Sequence, residues 1–274
     1  CSCSNNRLPE GYTEVITDKA VLNNIKIEKH IITAEYQNEE GVFAYPEHSY
    51  LNASIKFPQL SNMENISIQE KINEQLKEVA MQSLNNRSTD ETLKLFQDMT
   101  TNNENSVFWS GENEYNILCI GDEYISLNYE GSSFFGGAYP FHFSNYVTIG
   151  LDSGELIPFT EYFYKENIIE AIASFEFEWI AGQYTGGYTG KEPEVIEEFI
   201  ATIKQMENRS TVNNIYDSAS TYNFAVDEQF AYISFPFYDS LDGYVTLRFK
   251  LDILVLQFPQ EIHCPNPIQK TLLV

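Results

Sequence analysis

Residues 124–163 read YISLNYEGSSFFGGAYPFHFSNYVTIGLDSGELIPFTEYF, and the fold turns on how this stretch is read. Ile125, Leu127 and Tyr129 alternate with Ser126 and Asn128, the period of a strand with one apolar face. The run reaches a break at Gly131-Ser132-Ser133, then the pair Gly136-Gly137, then Ala138-Tyr139-Pro140. Adjacent glycines between apolar strands mark backbone that other residues cannot adopt, or backbone that another group approaches closely. Pro140 donates nothing to a ladder and belongs at a strand start or an edge. A second extended run from Phe141 to Leu151 is turned by Asp152-Ser153-Gly154 into Glu155-Leu156-Ile157.

Outward from this stretch, Gly121-Asp122 predicts a hairpin turn, so that Val107–Leu156 forms a meander. Upstream, Val21–Tyr36 is β-branched and partly alternating, and Tyr50–Phe57 alternates cleanly until Pro58 ends it. Helical spacing lies between. Ser67-Ile68-Gln69-Glu70 reads as a capping box, followed by Ile68, Ile72, Leu76, Val79 and Ser83 on one face. Ser88–Glu91 repeats the signal before a shorter helix with Leu93, Phe96 and Met99. Downstream, a helix is expected over about 165–181, with Ile168, Ile172, Phe175 and Trp179 on one side. A glycine-rich loop (182–190) separates it from a second helix that opens on Glu192-Pro193-Glu194. Tyr222–Tyr238 and Gly243–Phe258 read as closing strands. Helices in two blocks between strand runs give an α+β fold: antiparallel sheets with helices packed on one face, in two intimately associated subdomains. The expected division is a tether (1–18), a smaller N-terminal subdomain (19–105), a C-terminal subdomain (106–260) and a Pro-rich tail (261–274).

Forty acidic and sixteen basic residues give a net charge of −24. Nucleic-acid binding needs clustered Lys and Arg, so this class is excluded, as is electrostatic docking on anionic lipid. A field of this sign steers a cationic partner, although acidity also serves solubility alone. No run of eighteen apolar residues predicts a membrane-spanning helix. The chain starts with CSCSNNRLPEGY, a cysteine followed by a short polar stretch, as after cleavage of a lipoprotein signal. Acylation of Cys1 would anchor the fold at a membrane, with about 0.8 kcal/mol per buried methylene. For Cys119 and Cys264, a disulfide in an oxidising compartment and two separate buried thiols both fit.

The chain resembles the extracytoplasmic module of RsiV-type anti-sigma factors, which also precedes the catalytic domain of PdaC-type peptidoglycan deacetylases. The matching residues are Gly136-Gly137-Ala138, Pro140, Asp152-Ser153-Gly154-Glu155-Leu156 and Tyr162-Phe163, with Tyr238, Gly243 and Leu254 fitting loosely at the end. Where the family usually carries His, this chain has Tyr139. The resemblance implies the bacterial cell envelope, on its extracytoplasmic side, and for the RsiV type it implies recognition of lysozyme, a strongly basic protein. It covers neither the membrane span and cytoplasmic segment of the anti-sigma factors nor the metal-binding signature of the deacetylases.

Bond-making chemistry finds little footing in the residues. Among forty carboxylates, neighbours such as Glu197-Glu198 arise by chance, whereas glycoside hydrolysis needs two carboxylates fixed about 5–9 Å apart across a sugar. His30, His48, His142 and His263 have no ligand spacing for a metal, so no cofactor is expected. Ser132 and Ser133 do not make a nucleophile elbow, because Phe135 stands where the second glycine is needed. Two stretches stand out for recognition. Phe134, Phe135 and Tyr139 flank Gly136-Gly137, where aromatics beside open backbone suit a sugar ring or a protein interface, or fill a core turn. Tyr184 and Tyr188 lie in the glycine-rich loop, a pairing that suits adaptable contact or a plain interhelical linker. The expectation is a non-enzymatic lipoprotein that binds a basic protein such as lysozyme, with a peptidoglycan-binding module as the alternative and an envelope-glycan enzyme as a third.

Overall fold

The computed structural model describes residues 13–22, 25–37, 50–85, 87–101, 108–134, 140–181, 192–206, 223–236 and 244–254. Six strands form the first sheet in chain order: β1 (Thr13–Leu22), β2 (Ile25–Gln37), β3 (Tyr50–Ser61), β4 (Phe108–Ile120), β5 (Tyr124–Phe134) and β6 (Phe141–Gly150). All neighbours are antiparallel except β3 and β4, which run parallel over Tyr50–Ser54 and Phe108–Glu112. A parallel pair needs a long crossover. Helices α1 (Ile66–Asn85) and α2 (Thr89–Thr101) supply it. The second sheet has the order β7 (Glu178–Ala181), β10 (Tyr244–Lys250), β9 (Phe230–Pro236), β8 (Phe224–Val226), all antiparallel. It is accompanied by α3 (Lys165–Ala173) and α4 (Pro193–Gln205). The fold is α+β, as expected, and each sheet carries its own helices.

Each sheet has a core of its own. Ile72, Leu76 and Val79 of α1 pack on Ile32, Ile55, Phe57, Leu127 and Val147 of the first sheet. Each fully buried side chain of this size contributes about 1.5–3 kcal/mol. Trp109 stacks on Phe96 of α2 at 5.1 Å, and the buried Tyr129 hydroxyl donates to the Leu76 carbonyl at 2.9 Å, locking the helix to the sheet. In the second core, Val195, Phe199 and Ile203 of α4 and Ile172 of α3 meet Ile233, Phe235, Leu247 and Phe249. The first core draws on residues 25–156 and the second on residues 157–254 together with Cys119 and Tyr124, and β4–β6 continue the sheet that β1–β3 begin.

The two sheets meet in an unusual way for a folded interior. The open edge of β8 comes down on the face of β5 and β6 that is turned away from α1. Thr148 donates to the Phe224 carbonyl at 3.1 Å, and Ser126 lies 2.7 Å from the Thr148 hydroxyl. With the Thr148 hydrogen committed, Ser126 is the donor of that pair, and it accepts from the Val226 amide at 3.3 Å. Two hydroxyls thus meet the edge of β8 that no described strand covers. Asn223 likewise accepts from the Tyr146 amide of edge strand β6 at 2.8 Å. Beside them the Tyr146 and Tyr232 rings stack at 5.3 Å, and burial pushes the Tyr146 phenol up to about 12.

Several local expectations change. β1 starts at Thr13, inside the stretch read as a tether. β3 runs through Pro58, because β4 leaves β3 after Ser54. The Lys56 amide on that side is met by Asn113 Oδ1 at 2.8 Å and the Leu60 amide by Asn73 Oδ1 at 2.7 Å. Pro58, midway between them, lacks an N–H only where no strand would receive it. Asn65, not Ser67, caps α1, its Oδ1 accepting from the Ser67 and Ile68 amides. The second capping box holds: Ser88 and Glu91 bond reciprocally. β5 does not break at Gly131. A Cβ there would stand 2.1 Å from the Glu112 carbonyl oxygen, so the glycine serves close strand approach.

The helix expected over 165–181 stops at Ala173. Phe175 takes a left-handed φ of 59° and the Glu176 amide donates to the Ala171 carbonyl, a Schellman closure, which puts Trp179 on β7. The strand expected over 222–238 is a hairpin, turned by Asp227, whose Oδ1 accepts from the Gln229 and Phe230 amides at 2.8 Å.

Candidate functional site

The sequence singles out residues around the glycine pair, and the structure describes their flanks. Phe134 ends β5 half-buried, opposite Ser110 of β4. Phe135, Gly136, Gly137 and Tyr139 lie outside the described residues, as do Tyr184, Tyr188, Cys1 and Cys264. Pro140 and Phe141, the next residues described, are exposed at the start of β6. Phe141 is an aromatic of the same stretch that the sequence reading left in the strand; it is exposed at the start of β6, whereas Phe143–Gly150 are buried. Cys119 is buried in the second core, 3.8 Å from the Tyr124 hydroxyl, and is disulfide-bonded.

Carboxylates gather at the opposite end of β5. The Gly121 amide donates to the Tyr124 carbonyl, closing the β4–β5 hairpin, and the Leu151 amide donates to the Glu123 carbonyl at 2.7 Å. This bond joins the hairpin to the turn after β6, where Gly154 has a φ of +68° that only glycine takes readily. Asp122, Glu123 and Asp152 are thereby exposed on adjoining turns. A 3-10 turn, Phe159–Glu161, adds Glu161 and delivers Tyr162, whose ring meets that of Tyr124 edge-on at 5.8 Å. Burial, then Tyr124, and only then the charges of Glu123, Glu161 and Asp152 hold the Tyr162 phenol well above its ordinary range. Burial first and Glu123 second do the same for Tyr124. The result is two neutral phenols beside exposed carboxylates, an arrangement unsuited to proton abstraction by tyrosine. The sequence places Asp122 and Asp152 in turns; their approach to Glu123 and Glu161 depends on β5 and β6 being adjacent.

A second acidic feature is a groove of about 480 Å³ beside α1 and the start of α2. Glu78 is tied into the scaffold, accepting from Gln82 Nε2 and the Thr89 amide, both at 2.9 Å. Glu70, Glu74 and Asp90 are exposed along it, with Lys77 among them, its Nζ 5.9 Å from the Phe57 ring. Elsewhere, basic side chains are engaged by carboxylates. Lys29 and Lys56 meet Glu114, Lys71 meets Glu155, Lys94 meets Asp98, and Arg248 meets Glu178. Their charge is spent locally, so the acidic excess persists at the surface.

Among the described residues, no group of three or more His, Cys, Asp and Glu is arranged to hold a metal ion. His30 Nδ1 donates to Glu14 at 2.7 Å, and His142 is exposed on β6; His48 and His263 lie outside the described residues. No described helix is long and apolar enough to cross a membrane.

These features define the class: an α+β protein of two sheets joined through a hydroxyl-lined contact, with acidic rims at the strand ends. The family model described as Deacetylase PdaC matches residues 46–142, from the approach to β3 through the crossover helices, β4 and β5 to the start of β6. Two solved structures are similar in fold. One is a member of the DUF3298 family from Bacteroides fragilis, at 12% identity, covering 82% of this chain and 93% of that one with a TM-score of 0.44. The other is a DUF3298 family protein from Pseudomonas aeruginosa PAO1, at 7% identity, covering 82% and 91% with a TM-score of 0.41. No curated protein sequence matches the chain.

Proposed function

We propose that this chain is a non-enzymatic envelope lipoprotein, anchored through Cys1, that captures a strongly basic protein of the lysozyme type. The observation that carries the reading is the distribution of charge. A net charge of −24 is joined by exposed carboxylates around the Tyr124–Tyr162 pair, while Lys29, Lys56, Lys71, Lys94 and Arg248 are engaged within the chain. A field of this kind raises encounter rates with a cation and weakens as salt screens it. The resemblance to the RsiV-type module supplies the identity of the partner. The test is titration with hen lysozyme at low and at physiological ionic strength. Binding that weakens with salt and with Glu123→Gln/Asp152→Asn/Glu161→Gln is expected. Absence of binding at micromolar concentration in low salt rejects the ligand.

The match to the Deacetylase PdaC model over residues 46–142 favours a second reading, a non-catalytic module that docks on peptidoglycan. It predicts co-sedimentation with cell-wall sacculi that is lost on Tyr139→Ala or Tyr184→Ala. Parent protein left in the supernatant when the sacculi are pelleted excludes it.

A further inference from the structure

We propose that the contact between the sheets is a joint: the second sheet, with α3 and α4, opens from the first and re-docks as one body. The argument starts from what each interface would lose on opening. Within either half, separation of helix from sheet exposes fully buried aliphatic and aromatic side chains, Leu76 and Val79 in one and Phe199 and Ile203 in the other. Between the halves, hydrogen bonds carry the middle of the contact and apolar side chains its flanks. Val226 N–H to Ser126, Ser126 to Thr148 and Thr148 to the Phe224 carbonyl form one chain of donors. The Ser234 hydroxyl accepts from Thr246 of its own sheet and lies 3.3 Å from both the Ser144 carbonyl of β6 and the Val245 carbonyl of β10, so its one hydrogen is shared between the two. Asn223 bonded to the Tyr146 amide is the third link. Water replaces such partners at small cost, whereas it does not replace apolar packing.

The apolar part of the contact is unevenly placed. One cluster holds only Tyr146, Ala225 and Tyr232, with Leu118 and Phe230 against it. The other lies at the hairpin end, where Cys119 and Tyr124 enter the second core and Tyr162 and Phe224 pack ring to ring at 5.7 Å. A polar middle with a packed end is the build of a hinge. Among the described residues the strands of one half do not pair with those of the other, so opening breaks no ladder between them.

The chain carries one tryptophan in each half, Trp109 in the first core and Trp179 against the second, which makes the joint measurable. Trp179→Phe leaves a reporter of the first half and Trp109→Phe a reporter of the second. Urea titration of the two is expected to give transitions separated by on the order of 1 M. Leu76→Ala in the Trp179→Phe background is expected to move the Trp109 transition, and in the Trp109→Phe background to leave that of Trp179 in place. Ser126→Ala with Thr148→Val, which removes the first hydroxyl chain, is expected to widen the gap. Hydrogen exchange of the parent protein serves as a measurement that needs no substitution: amides of β8–β10 should exchange as a group ahead of those of β2–β5. Coincident transitions that stay coincident in the Leu76→Ala variants, or exchange of all these strands as one group, would overturn the joint.

Discussion

The two faces of β5 are equally buried and chemically opposite. Ile125, Leu127 and Tyr129 enter the core under α1, while Ser126 and Asn128 lie on the opposite face and are buried as well. On the first face burial itself is the stabilising term. On the second, each polar group has been taken from water and must find a partner, which Ser126 does in Thr148 and Val226. The same alternation that signals a strand with one wet side here describes a strand with two dry ones.

The largest effect should come from the apolar face. Leu127→Ala removes a fully buried side chain from a close-packed core, and a loss of about 3 kcal/mol is expected from urea unfolding. A loss below about 1 kcal/mol would mean that this face is not the dry core described.

Gly131→Ala tests the strand between its faces. The added Cβ meets the Glu112 carbonyl oxygen at 2.1 Å and the Phe143 ring at 2.7 Å, so β4 and β5 must separate locally. A loss of about 2 kcal/mol is expected, read by thermal or urea unfolding. A neutral result would restore the reading of Gly131 as a flexible break.

Ser126→Ala should cost less, about 1 kcal/mol, the net value of a buried hydrogen bond with part of the penalty for the Val226 amide left behind. A loss as large as that of Leu127→Ala would erase the contrast between the faces.

How much of this the sequence discloses follows from range. The α+β class, the stripe of α1, the second capping box and the start of α4 at Pro193 depend on neighbours a few residues apart, and these are legible. Pro58 and Gly131 mislead, because their roles depend on partners far along the chain: β4 leaving β3 at Ser54, and the Glu112 carbonyl. Ser126 and Thr148 look solvent-facing for the same reason, since β8 lies about a hundred and about seventy-five residues downstream of them. For the candidate site, the acidic excess is plain in the composition. Its focus around Tyr162 is not, since Glu123, Asp152 and Glu161 meet only after two turns and a 3-10 turn are folded together.

The smallest effect belongs where the apolar face runs out, at the β1–β2 rim. There His30 lies 5.7 Å from the Phe57 ring and donates to Glu14 on the edge strand. The bond from His30 holds the Glu14 carboxyl below its ordinary value; burial opposes this, and Lys77 assists it. A carboxylate with a depressed folded pKa stabilises the fold above its unfolded value, near 4.5, and that contribution is lost as pH falls through the lower folded value. Stability of the parent protein should therefore fall more steeply than that of Glu14→Gln as pH drops below about 4.5, with the two curves converging at the acid end. Parallel curves across that window would show that the rim pair adds nothing, and that the apolar face ends at Phe57 without a charged clasp.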